Sequence, residues 1–208
     1  MRQLYNELAG RNIGRLFALS DGIFAFALTL LVLDLRVPNP ASIHSEGELW
    51  RSLLELSPRL IAFLMTFMTL GIFWVGQQTQ LDQFVGTDRN LTWIQIAFLV
   101  SVCLMPFSTA LLGSFITFRV ALLEYWVNIL LLGTGLYASA TYASRAGLFR
   151  TDVPFLVDGI KRRISIAQAL YAFGALLCLI NTYTSIAFII VVQLNYVLAP
   201  RLKFLYRL

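Results

Sequence analysis

The stretch RLFALSDGIFAFALTLLVLDL, Arg15 to Leu35, decides how the rest of the chain is read. About 20 helical residues at about 1.5 Å each span roughly 30 Å, the thickness of a bilayer's hydrocarbon core. The stretch is apolar on every face, yet it holds a Ser-Asp pair, Ser20 and Asp21, just inside its entrance. An ionisable side chain in a spanning segment is costly and points to function. This helix is therefore expected to line an ion pathway while other helices hold it in place.

Working outward, the whole chain has the same character. It has 208 residues, 58% of them hydrophobic and only 13% charged, with a mean hydropathy of +0.74. A soluble domain carries about 25% charged residues, so the class is an integral membrane protein. The net charge of +5 is spread between apolar runs. That pattern sets topology and offers no basic face for nucleic acid. Cys103 and Cys178 each lie inside an apolar run, without CxxC or metal-ligand spacing, and read as reduced packing residues. The polar start MRQLYNELAGRNIG and the absence of a small-residue cleavage site after the first apolar run mark that run as a retained helix and not a signal peptide.

Six apolar segments are expected, at about 16–35, 58–75, 91–112, 120–143, 164–180 and 185–200, forming a single domain over 1–208. Pro106, inside the third, is expected to kink it or end its regular part. Pro38 and Pro40 open the longest connection, in which Glu48–Leu56 reads as a short interfacial helix carrying Trp50. Residues 145–163 read as a basic loop. Lys and Arg placement sets orientation. With the N-terminus inside, the inner segments hold twelve basic residues: Arg2, Arg11, Arg15, Arg89, Arg145, Arg150, Lys161, Arg162, Arg163, Arg201, Lys203 and Arg207. The outer ones hold four: Arg36, Arg51, Arg59 and Arg119. Both termini are thus expected in the cytoplasm, as an even number of spans requires.

On a wheel of about 100° per residue, Ile23, Thr29, Leu30 and Leu33 fall within about 60° of Phe26, while Asp21 lies about 140° away. If that stripe faces a pore, Asp21 faces neighbouring helices and acts as an anchor. Periodicity alone does not choose the stripe, because every face is apolar, and such stripes are more often packing than pore. Arg15 and Asp21, six residues apart, cannot form the usual i, i+4 pair.

Arg15–Asp21, read as R-x-x-x-L-S-D and followed by GIFAFALTLLVLDL, resembles the signature helix of the transmembrane protein 175 family of potassium channels. The likeness continues through FMTLGIFWVGQQ (Phe67–Gln78) and PFSTALLG (Pro106–Gly113), covering roughly residues 11–114. The resemblance implies an all-α membrane protein, a homotetramer of six-helix subunits with the first helices around a central pore. It implies a filter of apolar layers beside a threonine hydroxyl layer, which puts the constriction at Phe26, the hydroxyls at Thr29 and further layers at Leu30 and Leu33, with Ile23 beside them. Arg15, Ser20 and Asp21 match the family's hydrogen-bonded motif, and Trp74, Asp88, Trp93 and Asn128 are candidate supporting partners. Leu19 stands where the family commonly has Phe. Gln77 and Gln78 stand where it commonly has His, which keeps hydrogen bonding and removes titration. Phe26 is larger than the family's usual Ile or Leu.

The expected activity is passive cation conduction, modestly selective for K⁺, in a bacterial plasma membrane. No cofactor is implied beyond the permeant ion. No TVGYG-like run is present, so a carbonyl filter is not expected. A secondary transporter is the alternative, although its usual repeats and midplane helix breaks are not visible. An enzyme has little support: His44, the single histidine, lies in a polar loop, and Asp21 and Asp34 are about 20 Å apart along the helix axis.

Overall fold

The computed structural model describes residues 12–150 and 155–198. Arg2, Arg11, Arg201, Lys203 and Arg207, used above for orientation, lie outside the described residues, as do the last two positions of the sixth expected segment. The architecture is all-α: α1 (Ile13–Leu30), α2 (Glu46–Glu55), α3 (Ser57–Leu81), α4 (Arg89–Ser114), α5 (Arg119–Arg145), α6 (Leu156–Leu176) and α7 (Thr182–Leu198). Five of these, α1 and α6 with their short 3₁₀ extensions (Leu31–Asp34 and Leu177–Leu179), are long and apolar enough to cross a membrane. The sixth apolar helix, α7, has 17 residues and spans about 25 Å.

The helix starts are capped as their sequences allow. Asn12 accepts from the Arg15 N–H at 3.2 Å, Ser45 from Glu48 at 3.3 Å, and Asp88 from Leu91 at 2.7 Å. Pro58 sits in the first turn of α3, where its missing N–H costs nothing. Just past the end of α5, Gly147 has a φ of +67° that favours glycine, and Leu148 N–H returns to the Ala143 carbonyl at 2.9 Å.

Three expected boundaries move. α3 continues six residues past 75 because Gln77 and Gln80 are buried and bonded to other helices, although hydropathy reads them as an exit. α6 begins at Leu156, so Lys161, Arg162 and Arg163 lie on a helix and not in a basic loop. Pro106 does not end the third helix, which runs unbroken to Ser114. The short helix expected at 48–56 is α2, with Leu49, Trp50, Leu53 and Leu54 exposed along it.

α5 pairs with α4 and α6, α3 with α4, and α7 closes onto α6 and α3. α1 packs on α3 and α4. Phe24, Phe98, Met105, Leu112 and Tyr125 are buried at the centre. Two connections are clasped together at one end of the bundle. Val85 N–H donates to Leu148 O and Arg150 N–H to Gln83 O, both at 2.9 Å, and the Phe84 and Phe149 rings meet edge-on at 4.9 Å.

Candidate functional site

α1 has two faces of different fate. Leu16, Ser20, Phe24, Ala27 and the following Leu31 are buried against the bundle. The opposite face is bare: Phe26 is 66% and Leu33 68% exposed, with Leu19, Gly22 and Thr29 beside them. Leu30 and Ile23, the other two expected lining residues, are half-buried on the flank. No charged side chain lies between Asp21 and Asp34, so the bare face is apolar apart from Thr29. The Thr29 hydroxyl donates to the Phe26 carbonyl at 2.8 Å. Its proton is thereby used, and its oxygen lone pairs are left as acceptors.

The buried face is registered by hydrogen bonds. The Ser20 hydroxyl donates to Gln77 Oε1 on α3. Gln77 Nε2 donates to Gln95 Oε1 on α4 at 2.8 Å, and Gln95 Nε2 to Ser139 Oγ on α5 at 2.7 Å. All four side chains are essentially inaccessible. Such groups are retained inside a membrane protein when each finds a partner. One turn of α3 supplies a second hold: Trp74 Nε1 donates to Asp21 Oδ1 at 2.8 Å and Gln78 Nε2 to the same oxygen at 2.6 Å. Trp74 and Gln78 are four residues apart, so both reach one carboxylate from one helix face.

The structure therefore brings Ser20, Asp21 and Trp74 together, with Gln77 and Gln78. It does not bring Arg15 to them: Arg15 is exposed, and its backbone N–H bonds to the Asn12 cap. Asp88 caps α4 and accepts from the Tyr142 hydroxyl at 2.6 Å. Asn128 bonds with the Ser108 hydroxyl at 2.9 Å. Trp93 is 60% exposed and joins none of these bonds. Gln95 and Ser139 were not anticipated. Their signal was present, since each is a polar residue inside an apolar run.

A second polar knot stiffens the bundle behind α3. Thr66 and Thr109 hydroxyls meet at 2.7 Å, Thr69 and the Tyr125 hydroxyl at 3.0 Å, and Gln193 Nε2 donates to Thr69 Oγ1 at 2.6 Å. Among the described residues, no group of three or more His, Cys, Asp or Glu is arranged to hold a metal ion.

Comparisons with known proteins extend this picture. Residues 15–106 match the family model described as endosomal/lysosomal potassium channel TMEM175. A potassium channel of Chamaesiphon minutus is 31% identical over 191 residues, covering 89% of this chain and 93% of that one. The crystal structure of a lysosomal potassium-selective channel TMEM175 homolog from Chamaesiphon minutus superposes with a TM-score of 0.79 at 29% identity, covering 90% of this chain and 97% of that one. The human endosomal/lysosomal proton channel TMEM175 is 34% identical over 70 residues, which is 31% of this chain and 14% of that protein.

Proposed function

The chain belongs to the TMEM175 family, and from that premise we propose that it is a passive potassium-conducting channel whose pore is formed by α1 from four copies. One subunit presents a single α1 and cannot enclose a pore alone, so assembly is part of the reading. The observation that carries it is the division of α1: one face clamped by Ser20 and Asp21, the other, with Phe26, Thr29 and Leu33, left bare. Four such faces around an axis make stacked apolar rings with one ring of hydroxyl oxygens. Leu30 and Ile23, on the flank, fall where one α1 meets the next.

An apolar constriction gates by dewetting, because a hydrated ion does not shed its water cheaply there. K⁺ sheds it more readily than Na⁺, which gives a modest preference without a carbonyl filter. The Thr29 oxygens offer the one polar step in the passage. The excess of Lys and Arg on one side supports a topology with both termini on the cytoplasmic side of a bacterial plasma membrane. The unbroken course of α4 through Pro106 gives the transporter alternative no midplane break to use.

The test is K⁺ against Na⁺ flux in proteoliposomes, with oligomer mass measured on the same sample. The channel reading expects flux without an energy source, and a changed conductance in Phe26→Ala. Unchanged flux when Phe26, Leu30 and Leu33 are all replaced refutes the pore assignment.

A further inference from the structure

A groove of about 550 Å³ opens where α3, α6 and α7 meet, within the roughly 300–1,000 Å³ range of small-molecule sites. Gly71 of α3 is part of its lining, and a Cβ added there meets no atom within 4 Å. Glycine inside a helix is disfavoured relative to alanine. No packing contact requires it here; its missing side chain keeps the groove open. Arg163 also lines it, exposed, with its guanidinium carbon 5.8 Å from the Tyr196 ring centroid. A groove with apolar walls and an exposed cation suits an anionic amphiphile, its chain along the walls and its phosphate on the guanidinium.

We infer that this groove holds an acyl chain of an anionic phospholipid from the cytoplasmic leaflet, with the lipid phosphate on Arg163. The leaflet, and the link to conduction, rest on the channel reading. In that reading copies of the chain meet along α1, which packs on α3 and α4, whereas α6 and α7 supply two of the three walls of the groove. A lipid is therefore the occupant in preference to a second copy. Trp74 joins the two places: it lines the groove, and its indole N–H holds Asp21 of α1. A chain lying against that indole bears on the clamp that sets the bare face of α1.

The test is native mass spectrometry of the full chain, released from vesicles of mixed phosphatidylglycerol and phosphatidylcholine, with K⁺ flux read from the same vesicles. The wild type is expected to retain phosphatidylglycerol over phosphatidylcholine. Arg163→Gln is expected to lose about 5-fold of that retention, the effect of one basic residue at an anionic surface. Gly71→Leu fills the groove and abolishes retention while the oligomer mass stays the same. Equal retention of the two lipids by the wild type, or no change in either variant, overturns the proposal. Loss of the oligomer in Gly71→Leu with phosphatidylglycerol still bound also overturns it, and seats a second copy in the groove. Selective retention without flux in any vesicle supports the lipid site and rejects the channel reading.

Discussion

Replacing Gln77 by Leu tests whether the amide chain is what holds α1. Gln77 is inaccessible, accepts from Ser20 and donates to Gln95 at 2.8 Å. Leucine keeps much of the volume and removes both bonds, leaving the Ser20 hydroxyl and Gln95 Oε1 without partners. Interhelical bonds in membranes average about 0.6 kcal/mol each, which sets a floor near 1 kcal/mol. A buried unpaired group adds about 1–3 kcal/mol, but a helical serine hydroxyl can turn back to its own i−4 carbonyl, so one of the two penalties is largely recovered. The expected loss is about 2–4 kcal/mol per subunit. The assay is unfolding by sodium dodecyl sulfate titration in mixed micelles, run on Gln77→Leu, Ser20→Ala and the double variant. Because both single variants lose the same Ser20–Gln77 bond, and Ser20→Ala alone orphans the Gln77 Oε1 that the double variant removes, the double variant should be less destabilised than the sum by about 0.5–1.5 kcal/mol. K⁺ flux should change with the single Gln77 variant, since one of the two holds on the roll of α1 is lost and only the Asp21 hold remains. Full additivity of the two single effects, or a Gln77 variant as stable as wild type with unchanged flux, refutes the reasoning.

Thr29→Val removes the one acceptor on the bare face of α1 and should lower K⁺ flux in proteoliposomes while leaving oligomer mass unchanged. Phe26→Ala should raise flux of K⁺ and Na⁺ together, because widening an apolar constriction relieves dewetting without adding selectivity; this is read from paired ion-flux traces. Gly147→Ala places a side chain at φ +67° and should cost about 1 kcal/mol in the same unfolding assay, with flux per folded channel unchanged. Asp88→Ala removes a helix cap and the acceptor of the Tyr142 hydroxyl, and should cost about 1–2 kcal/mol by unfolding.

The membrane class and the number of apolar helices are legible in the sequence, because length and hydropathy are local properties. Helical period puts Phe26, Thr29 and Leu33 on one side of the wheel but does not single that side out, because every face of the helix is apolar; family likeness does, and in the single subunit that face is bare. What period does not reveal is which residue of one helix meets which residue of another. Family likeness offers Trp74, Asp88, Trp93 and Asn128 alike as supporting partners, and it does not say that Trp74 is the one that meets Asp21. Asn128 and Asp88 carry the same polar signal, yet they serve a Ser108 contact and a helix cap. Gln95 and Ser139 escape a hydropathy reading because a lone amide or hydroxyl in an apolar run hardly lowers its mean. The end of α3 escapes the sequence for a related reason: Gln77 and Gln80 look like an exit to water, and it is partners on α4 and α5 that keep them inside.

The two holds on α1, at Ser20 and Asp21, have a mechanical consequence for the proposed tetramer. They fix the helix against rolling about its own axis. A helix with its side chains has a radius of about 5–6 Å, so a roll of about 10° carries a side-chain tip by about 1 Å. Fourfold symmetry repeats that displacement at every blade of the ring, as in the iris of a camera. The aperture at Phe26 is then set as much by the angle at which Gln77, Trp74 and Gln78 lock the blade as by the bulk of the ring at its edge.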